Sequence, residues 1–450
     1  MNDRLDCYVG IDLGSTTTKA VILDDAGEVL GRGITNSRAN YDVACAVAQA
    51  EAFVDARYGL VRRAFAANAG LADSTVALLP LIADSFAEAK HLTALAVLRE
   101  ELDRAAANSF YATWQPALGD ALGEIVDTMA AEAPKLFEPG AGRASDFFRD
   151  LASAAYMELC EEVADPGRLP HDVLIGVFDK AIIQVENQEL DVSFERHIDR
   201  GLDPLLDRGG LQGGPRDRAA AAIRHAIGIT LDEREHVGTG YGRARLPFPK
   251  ESIRSEILCH GLGAHATFPA TRTVLDIGGQ DTKAIQVDGN GIVGSFQMND
   301  RCAAGCGRYL GYIADEMNLG VHELGPMAMK STRHVKINST CTVFAGAELR
   351  DRLNLGQQRE DILAGLHRAI MLRAMSLLAR SGGVHDEFTF TGGVARNPAA
   401  VRALVELVEE NYGKRILNIS EESIYTGALG AAIFAYRAGH GAKGDQEAAA

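Results

Sequence analysis

Several things are missing from this 450-residue chain, and each absence closes off a class of function. No stretch reaches the ~18 consecutive apolar residues that a membrane span needs, so no membrane role is expected. No G-x-x-x-x-G-K-[ST] occurs, which excludes a P-loop nucleotide site. There is no basic stripe: 45 Lys and Arg stand against 61 Asp and Glu, a net charge of -16, which argues against nucleic acid as a partner. The opening MNDRLDCYVGID runs straight into an apolar strand without a secretory signature, so a cytoplasmic location is expected. The seven cysteines are an odd number for such a chain, so a disulfide framework is not expected and each is a buried small residue or a metal ligand. The 47% hydrophobic and 24% charged content is that of an ordinary globular protein, long enough for two or three domains.

What is present is present twice. Asp12 to Leu30 (DLGSTTTKAVILDDAGEVL) aligns without a gap on Asp276 to Gly294 (DIGGQDTKAIQVDGNGIVG). Asp12 matches Asp276, Gly14 matches Gly278, Thr18-Lys19-Ala20 matches Thr282-Lys283-Ala284, and Gly27 matches Gly291. Each copy reads as an apolar strand, a turn of Asp, Gly and hydroxyl or amide residues, and a second apolar strand. Gly14 and Gly278 let a ligand approach the backbone, and the amides of Ser15, Thr16, Thr17, Gly279 and Gln280 suit phosphate oxygens. Asp12 and Asp276 would then face one polyphosphate from two sides, an arrangement that calls for Mg²⁺ between them. A single D-x-G is more readily a self-capping turn; the matched pair is what points to nucleotide.

Between the copies the pattern changes. Residues 42–215 carry apolar residues at helical spacing, punctuated by Pro116, Pro134, Pro139, Pro166 and Pro170, and read as an inserted helical module. Its closing RGGLQGGP, Arg208 to Pro215, follows no strand and is expected as a loop. Residues 1–41 and 216–271 are assigned to a first lobe, with a strand at His236 and a helix over Ser252 to His265. Residues 272–440 form a second lobe, with a helix from about Ala303, a strand near Val335, a helix after Cys341, and a long helix over Asp361 to Arg380. EFTFTGGVARNPAAV follows as strand, double-glycine turn and helix; residues 441–450 are expected to be a disordered tail. Gly392 and Gly393 leave room for a base or ribose against the backbone. The expected architecture is α/β: two similar lobes with a nucleotide cleft between them.

With these hairpins and the TGG turn in place, the chain resembles the acetate and sugar kinase, Hsp70 and actin superfamily of ATPases. DIGGQDTK (276–283), MNDRCAAGCGRYL (298–310), STCTVFAGAEL (339–349) and TGGVARN (391–397) look like its BadF/BadG/BcrA/BcrD-type branch, which holds activators of 2-hydroxyacyl-CoA dehydratases and ATP-binding subunits of benzoyl-CoA reductase. The resemblance covers about residues 6–40 and 234–437. It implies a two-lobed actin-like (ribonuclease H-like) ATPase that shares a [4Fe-4S] cluster between two subunits. The implied partners are a smaller homologous ATPase subunit or a second copy of the chain, iron-sulfur reductase subunits, and reduced ferredoxin.

By motif the cluster ligands are Cys302 and Cys341, two thiolates per chain completing a set of four across a two-fold axis. Cys306 is a departure, since the activator pattern has threonine there; it reads either as a third ligand within one chain or as a residue that only tunes the cluster, and the two-subunit arrangement is preferred. Asp12 and Asp276 are expected to hold Mg²⁺, Gly14 to Thr17 and Gly278 to Gln280 to cradle phosphates, Lys19 to neutralise them, and Gln280 or Asp281 to orient water. The large insertion favours a benzoyl-CoA reductase subunit; a dehydratase activator is the alternative. A small-molecule kinase and an Hsp70-like regulatory module are the rivals from other classes, and both leave the cysteine motifs without a role.

Overall fold

The computed structural model describes residues 4–37, 40–68, 70–143, 145, 147–188, 190, 192–299, 305–333, 335–337 and 342–441. The chain parts into two compact units, with borders at Asp6, Ser37 and Asp232.

The unit that carries both hairpins is built on two sheets. Strands β1 (Arg4–Leu13), β2 (Thr17–Asp24) and β3 (Val29–Asn36) form the first meander. The second is β5 (Thr273–Ile277), β6 (Thr282–Val287) and β7 (Val293–Asn299). Strand β4 (Thr230–Thr239) extends the first sheet to the order β3-β2-β1-β4; β8 (Glu387–Thr391) and β9 (Ile416–Asn418) extend the second to β7-β6-β5-β8-β9, both joining in parallel. The repeat survives as geometry. Asp12 lies opposite Lys19, and Asp276 opposite Lys283, at the same register position of the two antiparallel pairs. The distal turns also match: Asp24 Oδ1 accepts from the Ala26 and Glu28 amides, Asp288 Oδ1 from those of Asn290 and Ile292, and Gly27 and Gly291 both sit at φ 78°, where glycine is favoured.

Two helices brace the sheets, α8 (Glu256–Thr267) and α14 (Thr426–Gly439). They touch backbone to backbone because the contact points are glycines: a Cβ on Gly430 would lie 1.9 Å from the Cys259 carbonyl oxygen, and one on Gly263 2.1 Å from that of Thr426. Gly10 of β1 gives α14 the same close approach, 2.1 Å from the Ala432 nitrogen. This crossing fixes one buried face of α8 against the ends of β1 and β5. The remaining helices of the unit are α9 (Gly307–Met317), α10 (Val321–Ala328), α11 (Thr342–Asn354), α12 (Arg359–Ser381) and α13 (Pro398–Tyr412). Helix α12 is long and apolar enough to cross a membrane, but 67% of its most apolar window is buried in the core formed with Leu275, Ile313, Phe390 and Leu404.

The other unit is helical: α1 (Tyr41–Ala66), α2 (Ala72–Ala106), α3 (Ala117–Leu136), α4 (Phe148–Val163), α5 (His171–Glu186), α6 (Phe194–Arg208) and α7 (Gly213–Gly228). One of its cores gathers Leu98, Leu122, Tyr156 and Phe178, with the last two rings stacked 4.2 Å apart.

Three sequence expectations need correction. The stretch expected as a loop through Pro215 enters α7 at Gly213. Val335 is in no strand; its carbonyl lies against α12, where a Cβ on Gly365 would be 2.0 Å from that oxygen, and no neighbouring strand pairs with it among the described residues. Helix α9 starts at Gly307 and not near Ala303, because Gly305 at φ 114° and Cys306 at φ -127°, ψ 177° are incompatible with helix. The tail expected beyond residue 441 lies outside the described residues.

Candidate active site

Each hairpin delivers its aspartate at the end of a buried strand, and α8 delivers a second pair of titratable groups between them. Asp12, Asp276, Asp281, Glu256, His260 and Lys283 are all buried. Lys283 is 1% exposed, and its ammonium is held by Asp281 Oδ1 at 2.8 Å, Glu256 Oε1 at 2.9 Å and Asp276 Oδ2 at 3.2 Å. Thr391, at the end of β8, donates to Asp276 Oδ1 at 2.9 Å. Glu256 and His260 are one helical turn apart and point the same way; His260 Nδ1 lies 3.4 Å from Asp276 Oδ1 and Nε2 lies 3.9 Å from Glu256 Oε1. In the first hairpin Lys19 approaches Asp12 Oδ2 at 3.7 Å with a partly open side chain.

Burial and pairing compete at these groups. Burial alone would raise Asp276, but His260, Lys283 and the Thr391 hydroxyl overrule it and hold the carboxyl well below its ordinary range. Burial lowers Lys283, and its three carboxylates reverse that and raise it well above an ordinary lysine. Glu256 is raised, chiefly by burial. Four buried carboxylates therefore share two ammonium groups, Lys283 and Lys19. Asp12 Oδ1 and His260 Nδ1 are buried with no hydrogen-bond partner among the described residues. Buried charge left in this state calls for a cation. There is also room for one: position 427 is glycine, and a Cβ there would sit 2.8 Å from His260 Nε2 and 3.0 Å from Asp12 Oδ2. The donor set of Asp12, Glu256 and His260, with ligand atoms within 4.8 Å of one another, fits a divalent ion.

The two hairpin turns face each other. A Cβ on Gly279 would lie 2.3 Å from Thr16 Oγ1 and 3.5 Å from Ser15 Oγ, so Ser15, Thr16, Gly278 and Gly279 line one place. Gln280 is half-buried on the same turn. Asp281 is committed to Lys283, which leaves Gln280 as the water-orienting candidate of the two. Gly392 and Gly393 differ. At φ 84° a Cβ on Gly392 would meet the Ile277 carbonyl oxygen at 2.3 Å, so this glycine serves the turn against β5; around Gly393 there is open space.

The second turn is also wired to a helix. The first amides of α9, Gly307 and Arg308, donate to the carbonyls of Gly278 and Gly279 at 2.8 Å each, and Thr282 Oγ1 donates to the Gly305 carbonyl at 2.7 Å. Cys302 and Cys341 lie outside the described residues. Cys306 is at the N-cap of α9, fully buried in the core beside Tyr309 and Ile313. Cys7, Cys45, Cys160 and Cys259 are buried, as expected.

Sequence reasoning missed four site residues. Lys283 was visible in the repeat as the counterpart of Lys19. Glu256 and His260 had only their four-residue spacing on a helix, and Thr391 only its place before the double glycine.

A sequence model of the BadF/BadG/BcrA/BcrD ATPase family matches residues 9–435. The (R)-2-hydroxyglutaryl-CoA dehydratase activating ATPase of Acidaminococcus fermentans is 45% identical over 233 residues, 52% of this chain and 87% of the relative. The 2-hydroxyisocaproyl-CoA dehydratase activator of Clostridioides difficile is 42% identical over 46% of this chain and 74% of the relative. A benzoyl-CoA reductase subunit of Thauera aromatica is 30% identical over 48% of this chain and 77% of the relative. The crystal structure of the Acidaminococcus fermentans (R)-2-hydroxyglutaryl-CoA dehydratase component A superposes with a TM-score of 0.50 at 23% identity, covering 96% of this chain and 99% of that one, and shows the shared actin-like ATPase fold.

Proposed function

Because the chain belongs to the BadF/BadG/BcrA/BcrD ATPase family, we propose that it is an ATP-hydrolysing electron-activation subunit that drives a partner enzyme acting on an acyl-CoA. The observation that carries this is the convergence of two matched Asp–Lys pairs on facing glycine turns, one of them hydrogen-bonded to the helix that follows Cys302.

ATP would lie with its phosphates between Gly14–Thr17 and Gly278–Gln280 and its nucleoside against the open face of Gly393. Asp12 and Asp276 would hold Mg²⁺, which neutralises the phosphates. Lys19 adds a positive charge beside Asp12. Gln280 would orient the attacking water. Lys283 fixes Asp276, Asp281 and Glu256 relative to one another.

Cys302 and Cys341, with two thiolates from a second subunit, make a four-thiolate donor set for a [4Fe-4S] cluster, which supplies low-potential one-electron transfer when bound. Reduced ferredoxin is the proposed donor, and the cytoplasm the proposed compartment. A change at the Gly278–Gly279 turn on phosphate binding or loss is passed to α9 through the Gly307 and Arg308 amides. Each 1.4 kcal/mol of hydrolysis free energy directed to a one-electron step is worth about 59 mV.

The 45% and 42% identities to dehydratase activators, against 30% to the reductase subunit, favour a 2-hydroxyacyl-CoA dehydratase as the partner. A benzoyl-CoA reductase partner is the second reading, favoured by the seven-helix unit: about half of this chain lies outside the match to the Acidaminococcus activator.

Anaerobic purification with iron, sulfide and ATPase assays tests the proposal. About four irons per dimer are expected, lost in Cys302→Ala and Cys341→Ala and kept in Cys306→Ala, with Asp276→Asn lowering ATP turnover roughly 10²–10³-fold. An iron-free protein that phosphorylates a small metabolite would overturn it in favour of a kinase.

A further inference from the structure

We propose that Asp12, Glu256 and His260 ligate a first-row transition-metal ion directly, without nucleotide, so that the site is metal-loaded before ATP arrives. This goes beyond the Mg-ATP reading, which needs only carboxylates and water around the ion.

Three observations carry it. The first is chemical. Mg²⁺ prefers an all-oxygen shell, whereas an imidazole among the donors suits manganese, iron, cobalt or zinc. His260 is a buried group whose edge faces two carboxylates, Asp12 and Glu256, beside the gap left by glycine at position 427.

The second is orientation. His260 Nδ1 lies 3.4 Å from Asp276 Oδ1, off the line of a formed hydrogen bond. The tautomer with its proton on Nδ1, the side of the ring nearer Asp276, leaves the Nε2 lone pair on the side of Asp12 Oδ2 and Glu256 Oε1. Metal-bound histidines are characteristically backed by a carboxylate in this way. The Nε2 to Glu256 Oε1 distance of 3.9 Å falls within the roughly 3.0–4.2 Å spanned by cis and trans donors at metal–ligand lengths of about 2.1 Å.

The third is charge. Lys283 is shared by Glu256, Asp276 and Asp281, and Lys19 pairs with Asp12, so among the described residues these four buried carboxylates exceed the two ammonium groups by two. One divalent ion beside Gly427, where Asp12 Oδ2 and His260 Nε2 come together, closes that difference. Three protein donors leave positions open for water or phosphate oxygens, so a bound ion would not block nucleotide.

The test uses the full chain, stripped of nucleotide and divalent ions, in the Cys302→Ser/Cys341→Ser background so that thiolates bind no probe. Titrated with Mn²⁺ and followed by electron paramagnetic resonance, it is expected to remove one Mn²⁺ per chain from the free signal. Pulsed spectra of that ion should show ¹⁴N coupling from imidazole. His260→Gln should lose the coupling and weaken binding at least ~10-fold; Gly427→Ala, which places a methyl between the same donors, should weaken it too, with circular dichroism confirming that both are folded. No Mn²⁺ uptake without nucleotide, uptake without nitrogen coupling, or uptake unchanged in a folded His260→Gln protein would each overturn the proposal, two protons then being what neutralises the cluster. Binding of a non-hydrolysable ATP analogue with Mg²⁺, measured on the same samples, reports separately on the nucleotide site.

Discussion

In the first hairpin, the turn carbonyls of Gly14 and Thr16 are held by Ser37, at the end of the neighbouring strand of the same sheet, and Thr18 bonds the same serine. In the second, the carbonyls of Gly278 and Gly279 are held by the first amides of α9, and Thr282, the counterpart of Thr18, bonds the residue just ahead of that helix. The front faces of the two turns are alike, while their backs differ. Lys19 has one carboxylate and a partly open side chain; Lys283 has three and almost no exposure. On the proposed reading, a duplicated phosphate hairpin has become two devices: an anchor fixed to its own sheet, and a coupler tied to the segment that follows Cys302.

Exchanging equivalent residues should expose that asymmetry. Lys283→Met strands three buried carboxylates and is expected to cost about 3–5 kcal/mol of stability, against about 1 kcal/mol or less for Lys19→Met, read from urea unfolding midpoints; equal losses would break the comparison. The second lobe also carries an acid sensitivity. His367, buried on α12, gives its Nδ1 proton to the Leu363 carbonyl and takes the Asn397 side-chain amide on Nε2, and burial pushes its pKa down to about 4. Its folded value lies below the ordinary ~6.5, so its contribution is complete above about pH 6.5 and is lost as pH falls toward 4, about 3 kcal/mol in all. Unfolding at pH 7 and pH 4.5 should show a smaller acid loss in His367→Gln than in the wild type.

The double glycine should separate turn from ligand. Gly392→Ala puts a Cβ on the Ile277 carbonyl at positive φ and should destabilise by about 2 kcal/mol. Gly393→Ala should leave stability within about 0.5 kcal/mol and weaken ATP-analogue binding in calorimetry. Thr282→Val should cost about 1–2 kcal/mol by leaving the buried Gly305 carbonyl unpaired, more than Thr18→Val, whose partner Ser37 keeps its bond to Gly14.

How much of this was legible depended on whether the signal was local. The repeat discloses both aspartates and both glycine turns, and its Thr-Lys-Ala match holds Lys283 in plain view without showing the three carboxylates that give it a role. Glu256 and His260 acquire meaning only where α8 crosses α14 at Gly430 and Cys259, a tertiary contact with no local signature beyond small residues. The misplaced start of α9 has a visible cause in Gly305, whose positive φ ends the turn before the helix can begin. The strand expected at Val335 has apolar alternation but no neighbour to pair with among the described residues, and pairing is what makes a strand.

The central claim is that the second hairpin, and not the first, transmits nucleotide state. Hydrogen–deuterium exchange of the full chain with and without a Mg²⁺-bound non-hydrolysable ATP analogue tests it directly. Protection should change together in the peptides covering 276–283 and 305–317, with the Ser37-anchored end of β3 unchanged; a nucleotide-dependent change at 276–283 that leaves the Gly307 and Arg308 amides untouched would contradict it.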